Sequence, residues 1–270
     1  MKRLNQIIAL ALLAGGATLS DAGADATLGI ETTGASAQAP QVTRAYLQQD
    51  KLKIEIASGT TPQEIIFRGD LGQLWIVDRA ARSYRTVDRK QMQAMGQQMD
   101  AALKSLESDL DRLPPAERKR VEQLMLGEKP SLAESATTEF RKTDRQDTID
   151  GFPCIGYDYY RGGEKVGEAW LASWDAIGVD RQTFAVFESF QEFLKPAGSG
   201  SALKRGLRAD LANLSRLDGF PLVIRDVKDS KVVSESRMRI IDRGSVASDQ
   251  FEVPSGFTEQ ALPPIPGGGK

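Results

Sequence analysis

The chain opens its patterned region with alternating apolar and polar positions. Leu28, Ile30 and Thr32 alternate, as do Leu52, Ile54 and Ile56 with Lys51, Lys53 and Glu55. Ile66 precedes a turn at Gly69-Asp70-Leu71-Gly72. Leu74, Ile76 and Asp78 then alternate with Trp75 and Val77, and a further short strand carries Tyr84. A period of two with short polar connections predicts an antiparallel meander over 27–88. At Asp88 the period changes. Met92, Met95, Met99, Leu103, Leu106, Leu110 and Leu113 recur every three or four residues, one stripe of a long helix. Asp88 and Gln91 have the spacing of a capping box. Leu113-Pro114-Pro115 ends this helix, and a second one, with Val121, Leu124 and Met125, stops at Gly127. A helical hairpin inserted over 89–127 is the expectation.

Strand patterning returns over 136–174 with Phe140, Ile149, Phe152, Ile155, Tyr157, Tyr159, Trp170 and Trp174, and Arg161-Gly162-Gly163-Glu164 makes a hairpin turn. A helix from Asp180 carries Phe184, Phe187, Phe190, Phe193 and Leu194, and another carries Leu203, Leu207, Leu211 and Leu214. Strands follow at Leu222-Val223-Ile224, Val232 to Ile241, and Phe251 to Pro254. The simplest arrangement is α+β: a curved antiparallel sheet with helices packed on one face.

Residues 1–26 stand apart. Lys2 and Arg3 precede an apolar run from Ile7 to Leu19, and Ala24-Asp25-Ala26 fits a signal-peptidase site, with Ala22-Gly23-Ala24 and Ala35-Ser36-Ala37 as rivals. The run is shorter than the roughly 20 apolar residues of a membrane span. No Cys is near for lipid attachment. The expectation is a signal peptide over 1–26 and a periplasmic or secreted product with no transmembrane segment. The remaining chain reads as one domain over 27–258 with a flexible tail over 259–270.

Composition narrows the chemistry. The 270 residues include 35 Lys plus Arg, 37 Asp plus Glu, one Cys and no His, for a net charge of −2. Without His there is no Ser-His-Asp or Cys-His nucleophile and no His-ligated metal. Near-neutral charge disfavours a broad nucleic-acid surface. Cys154 lacks an intramolecular partner and sits among Phe152, Ile155 and Tyr157, as a small core residue would. Ser201-Ala202-Leu203-Lys204 matches the S-x-x-K spelling, but its companion motifs are absent. Asp144, Asp147 and Asp150 lack the alternate spacing and closing Glu of a calcium loop. No catalytic residue, metal or cofactor is therefore assigned. The Met and Phe stripes fill a helix–sheet core or line an apolar cavity. Met92, Met95, Met99, Phe184, Phe187, Phe190, Trp75 and Trp170 are the candidate lining residues.

Several segments in order carry a resemblance. Leu74-Trp75-Ile76-Val77-Asp78 with Ser83-Tyr84, Leu113-Pro114-Pro115-Ala116-Glu117-Arg118, Gly151-Phe152-Pro153-Cys154, Glu168-Ala169-Trp170-Leu171-Ala172 and Phe251-Glu252-Val253-Pro254-Ser255-Gly256-Phe257 resemble the bacterial domain-of-unknown-function family 4412. That family is similar in shape to the periplasmic lipoprotein carriers and outer-membrane lipoprotein receptors. The resemblance implies an unclosed, half-barrel-like sheet with helices over its concave face, and a groove for a lipid or lipoprotein acyl chain. The carriers' R-P-G-x-F-R-W-like strand is missing, and Asp50-Lys51-Leu52-Lys53-Ile54-Glu55 stands there. The expected function is a non-enzymatic envelope protein binding a hydrophobic ligand. The alternative is a structural or protein-interaction module with a packed core and an envelope protein partner. A hydrolase is the third reading.

Overall fold

The structure, a computed structural model, describes residues 25–34, 40–57, 63–112, 114, 138–197 and 217–262. Among the described residues, twelve strands form one unclosed sheet. They are β1 (Ala26–Gly34), β2 (Gln41–Gln48), β3 (Lys51–Ala57), β4 (Gln63–Arg68), β5 (Gln73–Asp78), β6 (Ser83–Asp88), β7 (Thr138–Ile149), β8 (Phe152–Arg161), β9 (Glu164–Ala172), β10 (Phe220–Lys228), β11 (Lys231–Asp242) and β12 (Thr258–Glu259). The α-helices described with them are α1 (Arg89–Asp111), α2 (Trp174–Ile177) and α3 (Ala185–Leu194). The strand order is β12-β6-β5-β4-β3-β2-β1-β11-β10-β9-β8-β7, a curved half-barrel of two meanders joined where β1 pairs with β11. Every described pairing is antiparallel except β12 beside β6.

Register sorts the two faces. Leu28, Ala45, Ile54, Ile65 and Ile76 are cross-strand neighbours in one inner row, and Leu47, Leu52, Phe67, Leu74 and Val87 form the next. These branched and aromatic side chains suit a pleated, buried surface, and they belong to the main core. Tyr46, Lys53, Ile66 and Trp75 occupy the intervening outer row, because successive side chains of a strand point to opposite faces.

The outer row is not left to solvent. The segment from Val246 to Phe257 crosses it, and Val246, Phe251 and Phe257 pack on Ile66, Val77, Tyr46, Trp75 and Tyr84. Polar contacts fix the crossing. The Val246 amide donates to Asp25 at 2.8 Å, Lys53 Nζ donates to Gln250 Oε1 at 2.9 Å, and Arg68 pairs with Glu252. Lys53 is 3% exposed. It is held by Glu55 at 2.9 Å, Glu64 at 3.1 Å and the Tyr46 ring, so its charge is compensated where water is excluded.

Most predicted elements are present. The α1 capping box forms: the Asp88 amide donates to Gln91 Oε1 and the Gln91 amide to Asp88 Oδ1, both at 2.7 Å. Some expectations differ. Strand β2 is not among the predicted elements. Trp174 opens α2 instead of ending a strand, because Ser173 accepts from the Ala176 amide and starts a helical turn. Phe251 closes a 3-10 turn, Ser248–Phe251, so no strand runs from Phe251 to Pro254. The last pairing is β12, and Glu259 and Leu262, assigned to a tail, join the fold through Tyr84 and the main core. At the other end, Asp25 and Ala26, assigned to the signal segment, are buried where β1 begins. The second helix of the hairpin, the helix around Leu203–Leu214, residues 1–24 and residues 263–270 lie outside the described residues.

Candidate binding groove

The inner face meets helix α3 over β3 and β4. Asp180 accepts from the Gln182 amide and starts a 3-10 turn, Arg181–Phe184, that leads into α3. The three- and four-residue spacing then puts Phe187, Phe190, Phe193 and Leu194 on the buried side of the helix. Phe190 and Phe193 tilt against Phe67 at ring distances of 5.0 and 5.4 Å. Phe184 stacks on Phe187 at 6.5 Å and tilts against Trp174 and Phe220. At the helical edge, Met92 of α1 is buried and Met95 half-buried in the same core, and the Arg89 guanidinium lies 6.0 Å from the Phe193 ring.

Of the predicted lining residues, Met92, Met95, Phe184, Phe187 and Phe190 are thus brought together. Phe184, Phe187 and Phe190 are at most 2% exposed. Side chains so enclosed already have close-packed partners. They are core, and a ligand would have to displace them to touch them. The Met99 side chain lies outside the described residues.

Trp75 falls elsewhere, whereas Trp170 is buried in the same cluster. Trp75 stands between inner Leu74 and inner Ile76, so the pleat sends it outward, beneath the crossing segment and 5.8 Å from the Arg68 guanidinium. Trp170 is a buried member of the main core, and its cross-strand partners are Gly156 and Val223. Arg145 lies 5.5 Å from its ring and bonds Glu168 and Asp158. Trp170 therefore belongs to a charged ladder with Lys165, which reaches Asp158 at 3.0 Å and Glu168 at 3.1 Å. Burial raises the Glu168 carboxyl, but hydrogen bonds from Arg145 and Lys165 outweigh it and hold the group below its ordinary range.

A concave site with no sequence signal opens at the end of the sheet. A cleft of about 400 Å³ is lined by Asp150, Phe152, Ile177, Leu222, Arg239, Ile240 and Arg243. Its walls come from four local structures. Asp150 and Gly151, both at positive φ, form the β7–β8 turn. Helix α2 ends at Gly178, whose amide donates to Trp174 and Asp175, leaving the Ile177 carbonyl to accept from Arg243 Nε at 2.9 Å. Leu222 sits at a register shift between Pro221 and Val223. Arg239 and Ile240 are successive residues of β11, and Arg239 faces Asp150 at 3.4 Å. The result is an apolar floor with two guanidinium groups and one carboxylate around it.

No family model matches the chain, and no curated protein matches it. Solved structures are similar in outline. An uncharacterized conserved protein from Thermus thermophilus has 7% identity and a TM-score of 0.44, covering 89% of this chain and 91% of that one. MucB of Pseudomonas aeruginosa, in its complex with MucA, has 10% identity and a TM-score of 0.35 over 84% of this chain. PNGF-II has 9% identity and a TM-score of 0.34 over 88% of this chain. The match spans 55% of the MucB chain and 31% of PNGF-II. Likeness at this level carries no argument about function.

Proposed function

We propose that this is an exported, non-enzymatic envelope protein that binds a hydrophobic ligand, a lipid, an acyl chain or an apolar segment, at the seam between sheet and helices. The observation that supports the reading is the cleft, where half-buried Phe152 and Ile240, with buried Ile177 and Leu222 beside them, give an apolar floor that the packed Phe cluster does not offer. Burying an alkyl chain there contributes about 0.8 kcal/mol per methylene. The basic, apolar and small-residue layout of residues 1–26 supports export. Among the described residues, no helix is long and apolar enough to cross a membrane.

The test is native mass spectrometry of protein purified from a bacterial periplasm, followed by organic extraction. A stoichiometric bound mass that extracts as lipid is the expected result. Repeated spectra of the bare chain would overturn the reading. The packing of Phe184, Phe187 and Phe190 favours a second reading, a protein-interaction module with no ligand. Bare spectra together with a specific cross-linked envelope protein would establish that one.

A further inference from the structure

The geometry points to a ligand class for the cleft: we propose that it takes a single-chain anionic amphiphile. This rests on the binding role proposed above and adds its charge. The chain lies on half-buried Phe152 and Ile240, with buried Ile177 and Leu222 beside them, and the head meets Arg239 and Arg243.

Charge selects the head. Two arginines and one aspartate line the cleft, a surplus of one positive charge. Arg243 spends Nε on the Ile177 carbonyl at 2.9 Å, which fixes the guanidinium at the wall. Guanidinium groups recognise carboxylate and phosphate through paired N–H donors. Asp150 competes for Arg239, but at 3.4 Å, with side chains 40% and 62% exposed, the pair is long and wet. Such pairs contribute little, so an incoming anion can replace the aspartate. Size fits too: the cleft falls within the usual range for small-ligand sites. A neutral lipid would leave the arginines unmatched, and a short anion would leave the apolar floor in water.

The experiment is calorimetric titration of the purified protein with decanoate, decanol and acetate at low salt. Decanoate is expected to bind saturably, and decanol about tenfold more weakly, the worth of a charged hydrogen bond. Acetate should give no saturable heat, and acetate binding as tight as decanoate would overturn the role of the alkyl chain. The R239Q/R243Q variant should lose the preference for decanoate over decanol, and D150N should bind decanoate more tightly. Thermal melts of each variant check that it is folded. Equal binding of decanoate and decanol would overturn the anionic class while leaving the apolar binding role intact. A decanoate preference unchanged in R239Q/R243Q would overturn the placement in this cleft. Binding of neither probe would overturn both.

Discussion

Replacing Phe190 with alanine separates a core residue from a groove residue. The ring is 2% exposed and lies 5.0 Å from Phe67, with Phe187 and Phe193 on the same helix face. Removing a buried phenylalanine costs the transfer free energy of its lost atoms plus the cavity left behind, about 3–5 kcal/mol. For a domain of this size each kcal/mol moves Tm by about 2–4 °C, so a fall of about 6–20 °C follows. The assay is urea and thermal unfolding followed by tryptophan fluorescence. Trp174 is a suitable reporter, since it packs on Phe184 in the same cluster. A double-mutant cycle with Phe67→Leu should show a coupling of about 0.5–1.5 kcal/mol for the tilted ring pair. A loss under about 1 kcal/mol, with weakened ligand binding, would refute the assignment and return Phe190 to a ligand-lining role.

Other outcomes follow from single sites. Gly167→Ala should be strongly destabilising, because an added Cβ would lie 2.2 Å from the Arg225 carbonyl oxygen and 2.3 Å from the Tyr159 ring; an unchanged melt would contradict that packing. Lys53→Met should cost up to about 3 kcal/mol, because Glu64 loses one cation beneath the crossing segment but keeps Arg79, read as a lower urea midpoint. Cys154 is 3% exposed and burial pushes its thiol up, so iodoacetamide should label it only in denaturant. Glu168 and Glu235 are raised by burial but lowered further by their arginine and lysine partners. A depressed carboxylate contributes stability above its unfolded value, and that contribution is lost as pH falls below about 4.5 through the folded value. Urea midpoints measured from pH 7 to pH 3 should drop, and less steeply in Glu235→Gln.

The sheet was legible because most of its strands alternate cleanly, as in Leu52, Ile54 and Ile56. The same alternation already separates Trp75 from Leu74 and Ile76, so its outward direction was available from the pleat alone. Strand β2 was not legible: Val42 and Tyr46 on one face and Ala45 and Leu47 on the other blur its period. Phe251 reads as a strand residue but is buried by a turn that crosses the sheet, a tertiary choice with no local signature. The Phe stripe announced an apolar helix face. Whether that face packs or binds depends on what stands opposite, and Phe67 comes from a strand in the other meander, far away in the chain. The cleft was invisible for the same reason. Asp150, Ile177, Leu222 and Arg239 come from separate elements and meet only when the sheet forms.

The most direct test uses isoleucine methyl NMR of the protein during titration with decanoate. The account predicts saturable shifts of the Ile177 and Ile240 methyls, with Ile54 and Ile65 of the inner rows unmoved. Shifts at Ile54 and Ile65 with Ile177 and Ile240 unchanged would contradict it, and would place the ligand between the sheet and the phenylalanine helix.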